Sequence, residues 1–104
     1  MSEDEVESKS EENGLDAPRV TKADLDANIA HVEIIRKTTH GGQVLRWAIL
    51  TTQSGYAVVG RPSVAVSPEN DNAQMGEKIA LENSRNELWP LMGYELKQRL
   101  HTGE

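Results

Sequence analysis

Three β-branched runs set close together place the strongest limit on what this chain can fold into. They are Val32-Glu33-Ile34-Ile35, then Val44-Leu45-Arg46-Trp47-Ala48-Ile49-Leu50-Thr51-Thr52, then Tyr56-Ala57-Val58-Val59, with Gly41-Gly42 and Gln53-Ser54-Gly55 between them. β-Branched and aromatic side chains fit a pleated surface, and short glycine-bearing connections close hairpins. The pattern predicts a three-stranded antiparallel meander. In the middle run Leu45, Trp47, Ile49 and Thr51 share one face, and Val44, Arg46, Ala48 and Leu50 the other. The larger side chains make Leu45, Trp47 and Ile49 the expected core face. Gly60-Arg61-Pro62 is expected to end the third strand, since proline donates nothing to a ladder.

Helical signals flank the meander. Thr21-Lys22-Ala23-Asp24 has a capping pattern, followed by Leu25, Ile29 and Val32 at spacings of four and three, which predicts a short helix over about 22–30. Towards the C-terminus, Ser67-Pro68-Glu69 and Asp71-Asn72-Ala73-Gln74 compete as helix starts, and a first turn near Pro68 with the main helix from about 71 reconciles them. Met75, Ile79, Glu82, Asn86, Trp89, Gly93, Leu96 and Leu100 then recur at alternating spacings of four and three, flanked by Leu81, Leu88 and Met92. Pro90 interrupts that stripe at a cost of roughly 3 kcal/mol, so a kink or break is expected near Trp89. Trp89 is expected as a core anchor, with Gly93 leaving room for a close approach; a broken helix would instead turn Trp89 outward. The fold class is α+β, with a short N-terminal helix, the meander, and a long C-terminal helix packed on one sheet face. The other face is then solvated or paired with another chain, which admits a homo-oligomer.

The charge divides by position. The chain carries −6, but residues 1–16 hold seven acids against Lys9 alone, and the remainder balances ten acids with ten bases. With Val6 and Leu15 as its only large apolar side chains, the segment 1–18 is expected to be a disordered acidic tail, leaving 19–104 as one domain. Such a tail solubilises, or acts as an arm that competes for a basic surface. A near-neutral folded part removes the simplest case for nucleic-acid binding, which wants a basic face.

Little reaction chemistry is legible. There is no cysteine, so neither disulfides nor thiolate metal sites contribute, and a reducing cytoplasm fits. His31, His40 and His101 fall on three different expected elements, without ligand spacing, so no metal is expected. No nucleophile elbow, phosphate loop or dinucleotide fingerprint occurs, and no cofactor is expected. The N-terminus lacks the basic and apolar regions of a secretory signal, and the longest apolar stretches are too short to span a bilayer. Glu82 falls inside the apolar stripe, where an acid needs a partner; with Asn83 it is expected either to hydrogen-bond the sheet or the first helix, or to touch a ligand. Trp47 beside Arg46 and Arg61 would be the place for single-strand binding, although Trp47, Tyr56, Trp89 and Tyr94 read more readily as core.

The second half supports a more specific reading. Gly55-Tyr56-Ala57-Val58-Val59-Gly60-Arg61-Pro62-Ser63, Ser67-Pro68-Glu69-Asn70, Gly76-Glu77-Lys78-Ile79-Ala80-Leu81-Glu82-Asn83, and Trp89 with Gly93-Tyr94-Glu95-Leu96-Lys97 follow one another in order. Together they resemble a family of small bacteriophage proteins typified by gene 66 of a Shigella phage and gene 49 of a coliphage, over roughly residues 21–100. Three positions depart from it: Tyr56 where the family often has Phe, Asp71-Asn72 where it has an aromatic, and Pro90 where it keeps a good helix former. The resemblance implies a phage or prophage protein in a bacterial cytoplasm and supplies no catalytic residues. The expected role is a non-enzymatic accessory protein that binds a host protein; the alternative is a binder that sequesters a small host signal molecule or nucleic acid.

Overall fold

The computed structural model describes residues 17–103, so all but Ala17 and Pro18 of the segment 1–18, expected to be a disordered acidic tail, lies outside the described residues. Helix α1 (Lys22–Asn28) starts at the capping box read from the sequence. The Asp24 amide donates to Thr21 Oγ1 at 3.1 Å, and the Thr21 amide donates to Asp24 Oδ2 at 2.9 Å. Two otherwise orphaned donors are thereby satisfied. Ile29 is already extended, so the helix leads straight into β1 (Ile29–Thr38).

β1 pairs antiparallel with β2 (Val44–Thr52), placing Ile35 opposite Trp47 and Glu33 opposite Ile49, with a register shift between Ile29 and His31. The turns on either side of β2 place Gly42 and Gly55 at φ +88° and +89°, a region that glycine enters without a Cβ penalty. The other edge of β2 takes two short strands, β3 (Ala57–Val59) and β4 (Ser63–Ala65). The expected third strand is therefore split rather than finished at Pro62: the lane resumes at Ser63. Because Pro62 sits in the gap, its missing N–H costs no ladder bond.

A 3₁₀ turn at Pro68–Asn70 precedes helix α2 (Ala73–Thr102). Asn72 caps α2, its Oδ1 accepting from the Met75 amide at 3.0 Å. Of the kink or break expected near Trp89, the break does not occur: the helix runs on through Pro90. Pro90 and Asn86, whose carbonyl loses its helical partner there, both face solvent, where water can satisfy that oxygen.

α2 lies over β2, β3 and β4, and the side it covers is the reverse of the one expected. Val44, Arg46, Ala48, Leu50 and Thr52 are buried, whereas Leu45, Trp47 and Ile49 are half-buried on the open face. The helical stripe is displaced too. Ala80, Ser84 and Leu88 are buried, with Gly76 one turn earlier, while Met75, Ile79 and Leu100 from the expected stripe are exposed. One cause explains both corrections: α2 comes so close to the sheet that small side chains make the contact. At Gly60 a Cβ would lie 2.5 Å from the carbonyl carbon and oxygen of Asn83. The close approach expected at Gly93 thus belongs to Gly60, and Gly93 has nothing within 4 Å of its missing side chain. Leu25, Leu50, Val58 and Leu88 form the core; Ile29, Leu81, Trp89 and Met92 pack against it while partly exposed. Trp89 is thus a margin residue rather than a central anchor.

Ser84 turns this proximity into a directional link. Its hydroxyl donates to the Ala48 carbonyl at 2.5 Å and accepts from the Gly60 amide at 2.9 Å. A completely buried hydroxyl needs such partners. Here they join helix, central strand and the gap between β3 and β4.

Candidate functional site

The three histidines stay apart: His31 on β1, His40 in the turn before β2, His101 in the last turn of α2. Among the described residues no group of three His, Cys, Asp or Glu side chains could hold a metal ion, and no helix is long and apolar enough to cross a membrane.

The most organised polar feature is the pair Arg46–Asp71. β2 directs Arg46 towards α2, where it is 5% exposed. Its Nη1 donates to Asp71 Oδ1 at 2.5 Å and its Nη2 to Oδ2 at 2.8 Å. This bidentate bond raises the guanidinium pKa above its ordinary value, and it holds the Asp71 carboxyl below the usual carboxylate range, with Arg36 adding to the field. Gly76 leaves room for the pair, since a Cβ there would stand 3.0 Å from Nη1. A small cleft of about 110 Å³ opens beside it, lined by Ser63, Asn72, Met75 and Ile79 among others. With both oxygens of Asp71 engaged, the pair fixes the start of α2 to the sheet and holds no base ready for proton transfer.

The remaining residues singled out in the sequence do not converge. Arg46 and Trp47 project from opposite faces of β2, and Arg61 is exposed between β3 and β4, so the stacking platform of Trp47 with two arginines is not assembled. Asn83 Nδ2 donates to the Arg61 carbonyl at 3.0 Å, a structural tie across the helix–sheet contact. Glu82 is exposed on the outer side of α2 and Tyr94 is 68% exposed, while Trp89 lies half-buried.

Two surfaces could take a partner. The first is an open cleft of about 470 Å³ where the end of the sheet meets α2, lined by Asn28, Thr52, Ser54, Tyr56, Leu88, Leu91, Met92 and Glu95. The second is the open sheet face. Strand register sets Ile35 beside Trp47, Val59 beside Ile49 and Val64 beside Leu45. Ile35, Val59 and Val64 are 47%, 51% and 57% exposed, so six apolar side chains form a continuous patch that no described element covers. Patches of this kind mark interaction sites. Sequence reasoning assigned Leu45, Trp47 and Ile49 of this patch to the core, because their size is the same signal in either role, and did not single out Val64.

Comparison with known proteins agrees with the resemblance read from the second half. Neither the curated proteins nor the solved structures compared with the chain gave a match. Residues 20–100 match the family described as Phage protein (N4 Gp49/phage Sf6 gene 66). That span takes in α1, all four strands and α2 as far as Leu100, and the chain therefore belongs to this bacteriophage protein family.

Proposed function

We propose that this protein is a non-enzymatic bacteriophage accessory protein that binds a host protein through the open face of its sheet. The observation that carries the reading is the patch of Leu45, Trp47, Ile49, Ile35, Val59 and Val64, which lies on the face opposite α2. Desolvating aromatic and aliphatic side chains is the main source of energy at protein interfaces, and a flanking charge such as Glu33 supplies a polar rim. The working compartment is the cytoplasm of the infected bacterium.

Affinity capture from bacterial lysate, with and without nuclease, tests this directly. Val59→Lys changes an exposed side chain and should leave the circular dichroism spectrum and melting temperature near those of the parent. Protein bands retained by the parent, insensitive to nuclease and lost with Val59→Lys, are the expected result. Bands that survive Val59→Lys, or retention that nuclease removes, would defeat the reading.

A second reading rests on the 470 Å³ cleft, whose size falls in the range of small-ligand sites and whose wall mixes Leu88, Leu91 and Met92 with the polar tips of Asn28, Thr52 and Tyr56. In that reading the protein sequesters a small host signal molecule. Small-molecule retention by the parent that Leu91→Glu removes and Val59→Lys spares would favour it.

A further inference from the structure

The edge of the sheet formed by β1 goes beyond that proposal. β1 is ten residues long, pairs only with β2, and has no partner on its other side among the described residues. It contains no proline, and its one irregularity lies between Ile29 and His31, so the stretch 31–38 stays in register with β2. A long regular edge of this kind offers a row of unpaired N–H and C=O groups to another strand. Val32 and Ile34 on the helix side are 42% and 36% exposed, as is much of Ile35 on the open side, so both faces of the edge are apolar and uncovered.

We infer that β1 pairs antiparallel with β1 of a second copy, centred on Ile35, to join two sheets edge to edge. The choice of occupant and register comes from the charges. A two-fold axis perpendicular to the sheet keeps each residue on its own face, so the two strands can meet only in registers that bring residues of the same face together. Centred on Glu33, the strands oppose two carboxylates; centred on Ile34, they set Glu33 against Ile35 and leave it without an opposite charge; centred on Arg36, they oppose two guanidinium groups. Centred on Ile35, they place Glu33 opposite Lys37 of the second copy twice over, Ile34 against the aliphatic stem of Arg36, and Ile35 against itself. Of these four registers, only this one sets full opposite charges against each other. Like charges directly opposite are unfavourable and opposite charges favourable, so the sequence of β1 selects one alignment from the four. The union also makes the two apolar patches continuous, since Ile35 adjoins Trp47 in each copy.

Sedimentation velocity on the full chain, over roughly 1 to 300 μM, should show a reversible dimer. Lys37→Glu and Glu33→Lys should each weaken it by about tenfold or more, because each sets like charges opposite one another twice. The double exchange Glu33→Lys with Lys37→Glu restores complementarity and should recover dimerisation to within a few-fold of the parent. Because the chain has no cysteine, single cysteines report the register cleanly. Ile35→Cys should cross-link to itself on mild oxidation, whereas Val32→Cys, about 20 Å from its symmetry mate at ~3.4 Å per residue, should not. A parent that remains monomeric across this range, a dimer indifferent to either single charge reversal, or cross-linking that favours Val32→Cys would each overturn the inference.

Discussion

Replacing Gly60 by alanine tests the packing argument most severely. The added Cβ would sit 2.5 Å from the Asn83 carbonyl carbon and oxygen and 2.7 Å from the Ser84 amide nitrogen, all backbone atoms of α2, whereas ordinary contact begins near 3.4 Å. No rotamer can relieve this. Either α2 lifts by about 1 Å or the link between β3 and β4 withdraws, and both movements stretch the 2.9 Å bond from the Gly60 amide to Ser84 Oγ. Overpacking a tight contact costs roughly 1 to 3 kcal/mol, and a part-buried amide left without its acceptor adds about 1 to 2 kcal/mol. The sum of about 2 to 5 kcal/mol is a large share of the ~5 to 10 kcal/mol that a domain of this size holds, and should lower Tm by at least ~8 °C. Urea denaturation of parent and variant measures the difference, with Gly93→Ala as the control. Gly93 is exposed in mid-helix with open space around it, so alanine there should stabilise by about 0.5 to 1 kcal/mol. A Gly60→Ala variant within about 1 kcal/mol of the parent would refute the claim that helix and sheet meet backbone to backbone.

Four other results are expected. Ser84→Ala should cost about 1 to 3 kcal/mol, since it strands the Gly60 amide; an isosteric swap to Cys that proved equally stable would show that the hydrogen bonds contribute little. Asp71 has a native pKa below its unfolded one, so its contribution is fully present above about pH 4 and is lost as pH falls through the lower native value. Asp71→Asn should therefore be less stable than the parent at neutral pH, with the gap narrowing on acidification through that window; a gap independent of pH between 2 and 7 would contradict the ion pair. Trp89→Ala should cost about 2 kcal/mol, less than the 3 to 5 typical of a fully buried tryptophan, and a loss above 4 by chemical denaturation would return Trp89 to the centre of the core. Thermal melts with and without a strong chelator should superimpose.

The parts of the fold that depend on local chemistry were legible in the sequence. Thr21 and Asp24 announce a cap because their side chains reach backbone donors within one turn, and Gly42 and Gly55 mark turns because the backbone there demands positive φ. What stayed hidden depends on how far apart the layers sit. β2 is apolar on both faces, so alternation fixes two sets without saying which is covered, and the larger set was the natural but mistaken choice. The true contact row of α2, with Gly76, Ala80 and Ser84, carries almost no hydrophobic signal. Arg46 and Asp71 are 25 residues apart, and nothing local foretells that an arginine on the buried face of β2 meets its carboxylate across the start of α2. β4 went unread because Pro62 looked like a terminus when it marks only a gap. The open apolar face was visible as a set of residues, while its role depended on where the helix lay.

The Gly60 amide gives this architecture its own gauge. It lies between β3 and β4, outside both ladders, and its acceptor is a side chain of α2 rather than a neighbouring strand. Hydrogen exchange at this one amide requires α2 and the β3–β4 link to part, whether the helix lifts or the link withdraws. Its protection factor therefore reads the free energy of undocking, separately from the free energy of melting the β1–β2 ladder that protects amides within Val44–Thr52. Equal protection at the two places would mean that helix and sheet separate only on global unfolding. Faster exchange at Gly60 would reveal a state in which the β1–β2 ladder survives while α2 and the β3–β4 link have parted.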